Sequence, residues 1–263
     1  MIIDVHTHVF PDALGERAVV GISRFYGLSM QEHDGKVSTL LRLAREAGVD
    51  RMVICAAATN AHQTTHVNDF LAQTLREHPG IFYGFGTVHH DWPDKAGEVD
   101  RMLGLGLRGL KMHPDIQGCP MDDPRLDALY EAMEGRMILL AHTGDVRYHN
   151  SNPPQLKRVL EKHPRLTVIA AHLGFWSNWE QGVGELAGYG NLYVDCSSSL
   201  YAISREKAVE IIRGYGMERV LFGSDFPMWE PKAELERLEA LNLTPDEMDH
   251  ILYKNALALL GDP

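Results

Sequence analysis

MILLAHTGDVRYHNSNPPQLKRVLEKHPRLTVIAAHLG, residues 137–174, holds one complete structural repeat and the start of the next. Met137–Ala141 is a short, continuous apolar run. PPQLKRVLEKHP follows, with Leu156, Val159 and Leu160 at helical spacing, two prolines at its start and His163-Pro164 at its end. That is an amphipathic helix with its stop signal. Leu166–Ala171 is a second apolar run. Runs that are apolar on both faces, and do not alternate, are expected of parallel strands covered by helices. Each run ends on a histidine, His142 and His172.

Working outward, the same unit recurs along the chain. Apolar runs stand at Ile2–His6, Arg51–Ala56, Phe82–Val88, Leu107–Met112, Met137–Ala141, Leu166–Ala171, Asn191–Cys196 and Arg219–Gly223. Amphipathic stretches such as VSTLLRLAREAG, VNDFLAQTLREHPG and SREKAVEIIRGYG separate them. Eight strand–helix units in 263 residues predict an α/β protein, a single-domain (β/α)8 TIM barrel spanning 1–263. The connection 9–35 is too long for a plain loop and is read as an active-site wall with room for a short helix. C-terminal helices over 232–260, with Leu252, Tyr253 and Leu257, pack either on the barrel or on a second subunit, so a homo-oligomer stays open. His78 and His163, each before a proline, are read as charge partners of helix ends.

Composition narrows the function. Hydrophobic residues at 44% and charged residues at 23% exclude disorder and fibrous repeats. A net charge of −11 offers no footprint for nucleic acid or an anionic membrane. No apolar run reaches the ~20 residues of a spanning helix, and MIIDVHTHVF has no leader pattern. Cys55, Cys119 and Cys196 are too few and too widely spaced for a disulfide framework or a thiolate zinc site. The expectation is a cytoplasmic enzyme with a small-molecule substrate.

The fourteen histidines carry the chemistry. His6, His8, His89, His90, His113, His142 and His172 all fall at C-terminal ends of expected strands, where barrels of this kind build their sites. Asp4, His6 and His8 alternate along the first strand, so all three are expected to face the barrel mouth, and two imidazoles at i and i+2 can chelate one ion. With His142 and with Asp225, which follows RVLFGS, they form an N/O ligand set suited to Zn²⁺, with Mn²⁺, Fe²⁺ or Co²⁺ as substitutes. Asp225 is also a candidate proton acceptor. His172 has three open roles: polarising a substrate oxygen, acid–base work, or a second metal.

DVHTH, GLKMHP, AHTGD, AAHLG and GSDFP, in this order from Asp4 to Pro227, resemble the amidohydrolase superfamily. They are most similar to its single-domain hydrolases and decarboxylases, the aminocarboxymuconate-semialdehyde decarboxylase type (amidohydrolase family 2). The resemblance implies a metal held by His6, His8, His142 and Asp225, with His172 near the substrate. For Lys111, at the fourth strand end, it leaves two roles, a carbamate bridging two metals or an ammonium on a substrate carboxylate. A lysine paired with a buried acid is the third reading. A mononuclear site with Lys111 facing substrate is favoured.

Around this centre, His113, Arg147, Tyr148, Trp176 and Trp229 are candidate substrate contacts, with Arg147 for an anion and the aromatics for a planar or apolar group. At most one of His89 and His90 is expected to face the mouth. Ser197–Ser199 lacks a nucleophile-elbow context and is read as loop hydrogen bonding. The favoured activity is hydrolysis of a small amide, lactone or cyclic ester bearing a carboxylate, by attack of metal-activated water with Asp225 taking the proton. The rival is non-oxidative decarboxylation of an unsaturated or aromatic carboxylic acid. Lys111 and the acidic charge speak against a TatD-type nuclease, and the complete set of strand-end residues against a barrel without chemistry.

Overall fold

The structure is a computed structural model that describes residues 1–28 and 34–261. Positions 29–33 of the 9–35 connection, and the last two residues of the 1–263 domain, lie outside the described residues. Eight parallel strands run in the order β1 to β8: Ile3–His8, Arg51–Cys55, Phe82–Gly86, Gly109–Met112, Ile138–Ala141, Thr167–Ala170, Leu192–Asp195 and Val220–Leu221. The ring closes through backbone bonds from β1 to the residues after β8, Val5 N to Phe222 O at 2.9 Å and Asp225 N to His6 O at 2.8 Å. The molecule is therefore a (β/α)8 barrel.

Helices fill the connections. They are α1 (Gly15–Tyr26), α2 (Val37–Ala47), α3 (Gln63–Glu77), α4 (Lys95–Gly104), α5 (Pro114–Gln117), α6 (Asp127–Met133), α7 (Pro153–Lys162), α8 (Trp179–Leu186), α9 (Arg205–Tyr215), α10 (Pro231–Glu239), α11 (Pro245–Asp249) and α12 (Asn255–Leu260). Burial on both strand faces explains the continuous apolar runs. Val53, Tyr83, Phe85, Leu140 and Ile169 fill the barrel interior, while Met52, Ile54, Leu139 and Val168 pack outward against helices. His78 and His163 cap the C-termini of α3 and α7.

One detail departs from the sequence expectation, and two others fill in what it left open. The first strand extends to His8 and carries a register shift between Asp4 and Thr7. Asp4 is fully buried and accepts from the backbone N–H groups of His6 (3.1 Å) and Ser224 (3.0 Å). It locks β1 to the β8 end and does not reach the mouth. The 9–35 connection holds the helix it had room for: α1 runs twelve residues to a left-handed Gly27. The C-terminal helices pack on their own barrel: Ala256 and Leu260 join the interior apolar cluster, and Phe222 N donates to Ile251 O.

Candidate active site

Period-two alternation sends Lys111 of β4 inward between outward-facing Leu110 and Met112, and it is 1% exposed. The same alternation aims His6 and His8 into the barrel. His113, His142, His172 and Asp225 follow the ends of β4, β5, β6 and β8. All seven line one cavity of about 740 Å³. Gly223 permits this crowding, because a Cβ there would stand 3.0 Å from His6 Cβ and 3.4 Å from Asp195 Cβ. His172 and Asp225 both have positive φ, 60° and 62°. Such left-handed non-glycine residues store strain, and they concentrate where a site dictates side-chain direction.

Hydrogen bonds decide which ring nitrogens face the cavity. His6 Nδ1 donates to Asp195 Oδ2 at 3.0 Å. His142 Nε2 donates to the Gly144 carbonyl at 2.8 Å, and His172 Nδ1 lies 3.0 Å from Ser197 Oγ and 3.2 Å from its carbonyl. Each ring spends its proton on an outer acceptor, which leaves a lone pair directed inward. Those lone pairs converge. His6 Nε2 and His8 Nε2 are 3.1 Å apart, and Asp225 Oδ1 is 3.5 and 3.4 Å from them. His142 Nδ1 and His172 Nε2 are 3.0 Å apart.

Electrostatics match this arrangement. Burial, reinforced by Lys111, lowers His6 to about 4, and burial lowers His142, His113 and His172 as well, so these imidazoles are neutral. Burial also disfavours a charged His8, yet the Cys55 sulfur and Asp225 outweigh it and raise His8 to about 9. That corner of the site favours positive charge. Burial would raise Asp225, but His6, His8 and His172 hold it well below the usual carboxylate range. The His6 and His8 ring nitrogens and an ionised carboxylate converging within 3.5 Å fit a divalent cation with nitrogen and oxygen preference, which would take the place of the His8 proton. Lys111 Nζ sits 2.9 Å from His6 Nε2, and burial lowers its pKa.

Several supporting residues escaped the sequence reading. Asp195 orients His6. Ser198 Oγ donates to Asp225 Oδ2 at 2.6 Å and accepts from Trp229 Nε1 at 2.9 Å. The serine run is hydrogen bonding, as expected, but its partners are site residues. Tyr26, from α1, brings its hydroxyl within 2.7 Å of His113 Nε2 and 3.5 Å of His142 Nδ1. An acid on the inner face of the seventh strand end was a usable signal for Asp195. The sequence places Tyr26 within the 9–35 wall but gives it no role, because only tertiary packing of α1 brings its hydroxyl to the histidines.

The expected substrate contacts divide. Trp176 and Trp229 line a smaller recess beside His142, His172 and Asp225. Arg147 does not enter either cavity lining. Its guanidinium is bound to Asp145 (Nη2 to Oδ2, 2.7 Å) and to the Phe25 carbonyl (3.1 Å). Tyr148 stacks on Phe25 with ring centroids 5.3 Å apart. Both residues brace α1. His89 and His90 stand apart from the cavity. Their rings are 4.0 Å apart, His89 Nδ1 accepts from Asp91 N–H, and Arg125 occupies Asp91.

A model described as amidohydrolase matches residues 3–261, nearly the whole chain. The chain belongs to amidohydrolase family 2. Its fold is shared with an uncharacterised TIM-barrel protein of Bordetella bronchiseptica, 24% identical over 98% of both chains with a TM-score of 0.81. It is shared also with a Pseudomonas putida protein assigned as a 2-pyrone-4,6-dicarboxylic acid hydrolase (22%, covering 99% of this chain and 97% of that one, TM-score 0.72). A third is 5-carboxyvanillate decarboxylase from Novosphingobium aromaticivorans, with bound manganese (16%, 98% and 96%, TM-score 0.72). No curated relative matches. At these identities the structural likenesses speak to fold. The family is one of metal-dependent enzymes acting on small molecules, and no helix among the described residues is long and apolar enough to cross a membrane.

Proposed function

We propose that this amidohydrolase is a metal-dependent hydrolase of an amide, lactone or cyclic ester that carries a carboxylate. His6, His8, His142 and Asp225 would hold one divalent ion, with Zn²⁺ favoured and Mn²⁺, Fe²⁺ or Co²⁺ as substitutes. A bound ion would supply Lewis acidity, polarising a substrate oxygen and acidifying water. The observation that carries the reading is the convergence of inward ring nitrogens, His6 Nε2 with His8 Nε2 and His142 Nδ1 with His172 Nε2, beside an ionised Asp225.

The chain's own groups divide the remaining work. Asp225 has two oxygens in different settings. Oδ1 faces His6 and His8, and Oδ2 is held by Ser198, so the carboxylate is fixed and ionised, ready to take a proton and return it to a leaving group. His172 presents Nε2 to the cavity from a ring anchored by Ser197 and is placed to contact a substrate oxygen. Lys111 Nζ is the cation placed to meet a substrate carboxylate. The carbamate reading of Lys111 requires a second ion and is the alternative. His113, Trp176 and Trp229 would contact the substrate body. Arg147, bound to Asp145 and α1, would act by holding the wall in place.

Decarboxylation of an unsaturated or aromatic acid is the second reading, and the cavity favours it through its apolar walls. Val9, Phe10, Ile22, Phe25, Val67 and Phe70 all line it. An apolar site weakens solvation of a carboxylate and so eases its loss as CO₂. Incubating metal-loaded enzyme with lactones, cyclic amides and aryl carboxylates, and scoring ring opening against CO₂ release, tests the pair. Ring opening supports the hydrolase, CO₂ release the decarboxylase, and neither activity above a chelated control sinks both.

A further inference from the structure

The cavity is far larger than the polar cluster needs. From Lys111 and His113 it continues between α1 and the start of α3, past Ile22, Phe25, Val67 and Phe70, to a rim that carries Arg17, Gln63 and His66. The walls are apolar and the rim residues are exposed. Small residues keep this arm open. Ala18 and Gly21 face it from α1, Ala56 and Ala57 from the end of β2, and a Cβ on Gly21 would meet nothing within 4 Å. Glycine inside a helix costs about 1 kcal/mol against alanine. Gly21 is not needed for a turn, since only residues with positive φ are tied to glycine and Gly21 is not among them.

We propose that the arm binds an elongated apolar substituent of the substrate, an alkyl or aryl extension pointing away from the reacting group, and that Arg17 receives a distal anion on it. This rests on the proposed reaction for the identity of the polar head, but the arm itself stands on shape and chemistry. Among the described residues Arg17 has no ion-pair or hydrogen-bond partner, so its guanidinium is available at the rim. The substrate class is then an amphipathic acid or acyl derivative with its reactive end at the histidines. A small polar acid would leave the apolar walls wet. Gly21 and Ala18 set the permitted length and width.

Calorimetric titration of the metal-loaded full chain with para-alkyl benzoates tests the arm without requiring turnover. The dissociation constant should fall about threefold per added methylene until the arm is full. A terminal carboxylate on a hexyl chain should add about threefold, and Arg17→Gln should abolish that increment alone. Gly21→Leu, which improves helix propensity while filling the arm, should collapse the ratio between butylbenzoate and benzoate toward one. Affinity that does not grow with chain length, or a chain-length gain that survives Gly21→Leu, overturns the proposal. Repeating the series on chelated protein separates the two claims. A length gain that persists without metal supports the arm while head-group affinity that ignores metal counts against the proposed reaction. Metal-dependent benzoate binding without a length gain does the reverse.

Discussion

His6 Nδ1 donates to Asp195 Oδ2 across 3.0 Å, and both side chains are wholly buried. This bond fixes the tautomer of His6, so that Nε2 faces His8, Asp225 and Lys111. Burial would raise the Asp195 carboxyl, but His6, His172 and Ser197 keep it ionised well below the usual range. Asp195→Asn keeps the size and removes the charge. It is expected to weaken metal affinity by about 10–100-fold, measured by competition with a chromogenic chelator. Unchanged affinity would mean that the bond does not orient a ligand.

Asp225 is the group with two tasks. Asp225→Asn should lower kcat by about 10²–10⁴-fold. Far-ultraviolet circular dichroism should stay at the wild-type level, because the backbone bond from Asp225 N to His6 O does not involve the side chain. Ser198→Ala, which frees Oδ2, should give a smaller loss of about tenfold.

Tyr26 is the contact between α1 and the polar centre. Ile116 N–H donates to His113 Nδ1 at 3.3 Å, so His113 Nε2 carries the proton and donates to the Tyr26 hydroxyl. The phenol proton then points toward His142 Nδ1, 3.5 Å away, and can turn to a substrate oxygen. Tyr26→Phe should reduce kcat/KM by about tenfold, a loss of one hydrogen bond in a buried site, with less than about 1 kcal/mol lost in stability. Stability is read from denaturant unfolding, and an unchanged kcat/KM would remove Tyr26 from the site.

Lys111 separates the one-metal and two-metal forms. With the ammonium facing substrate, Lys111→Met should raise KM for a carboxylate substrate by about tenfold or more and leave metal content unchanged. A carbamate resonance in labelled bicarbonate, lost with one of two ions in the variant, is the outcome of the bridging form.

Fold and centre were legible in the sequence for a shared reason. Strands buried on both faces must be apolar throughout, so Met137–Ala141 and Leu166–Ala171 stand out and their ends can be counted. His142, His172 and Asp225 sit one to four residues past those ends, where position alone places them at the mouth. Lys111 and His113 follow from alternation. Asp4 was misplaced because alternation fails at the register shift in β1. Arg147 and Tyr148 follow a strand end too, but six residues into a loop direction is set by tertiary partners, here Asp145 and Phe25. Tyr26 lay beyond reach for the same reason: α1 swings over the mouth, and its periodicity does not say which turn touches His113.

The central claim is that His6, His8, His142 and Asp225 hold one catalytic divalent ion. Its most direct test is inductively coupled plasma mass spectrometry on the purified chain and on a His6→Ala/His8→Ala double variant, with activity followed through chelation and metal return. The expected result is about one transition-metal ion per chain, lost in the variant, with activity that falls on chelation and returns with Zn²⁺ or Mn²⁺. Full activity in metal-free protein, or a double variant that binds as much metal as the wild type, would contradict it.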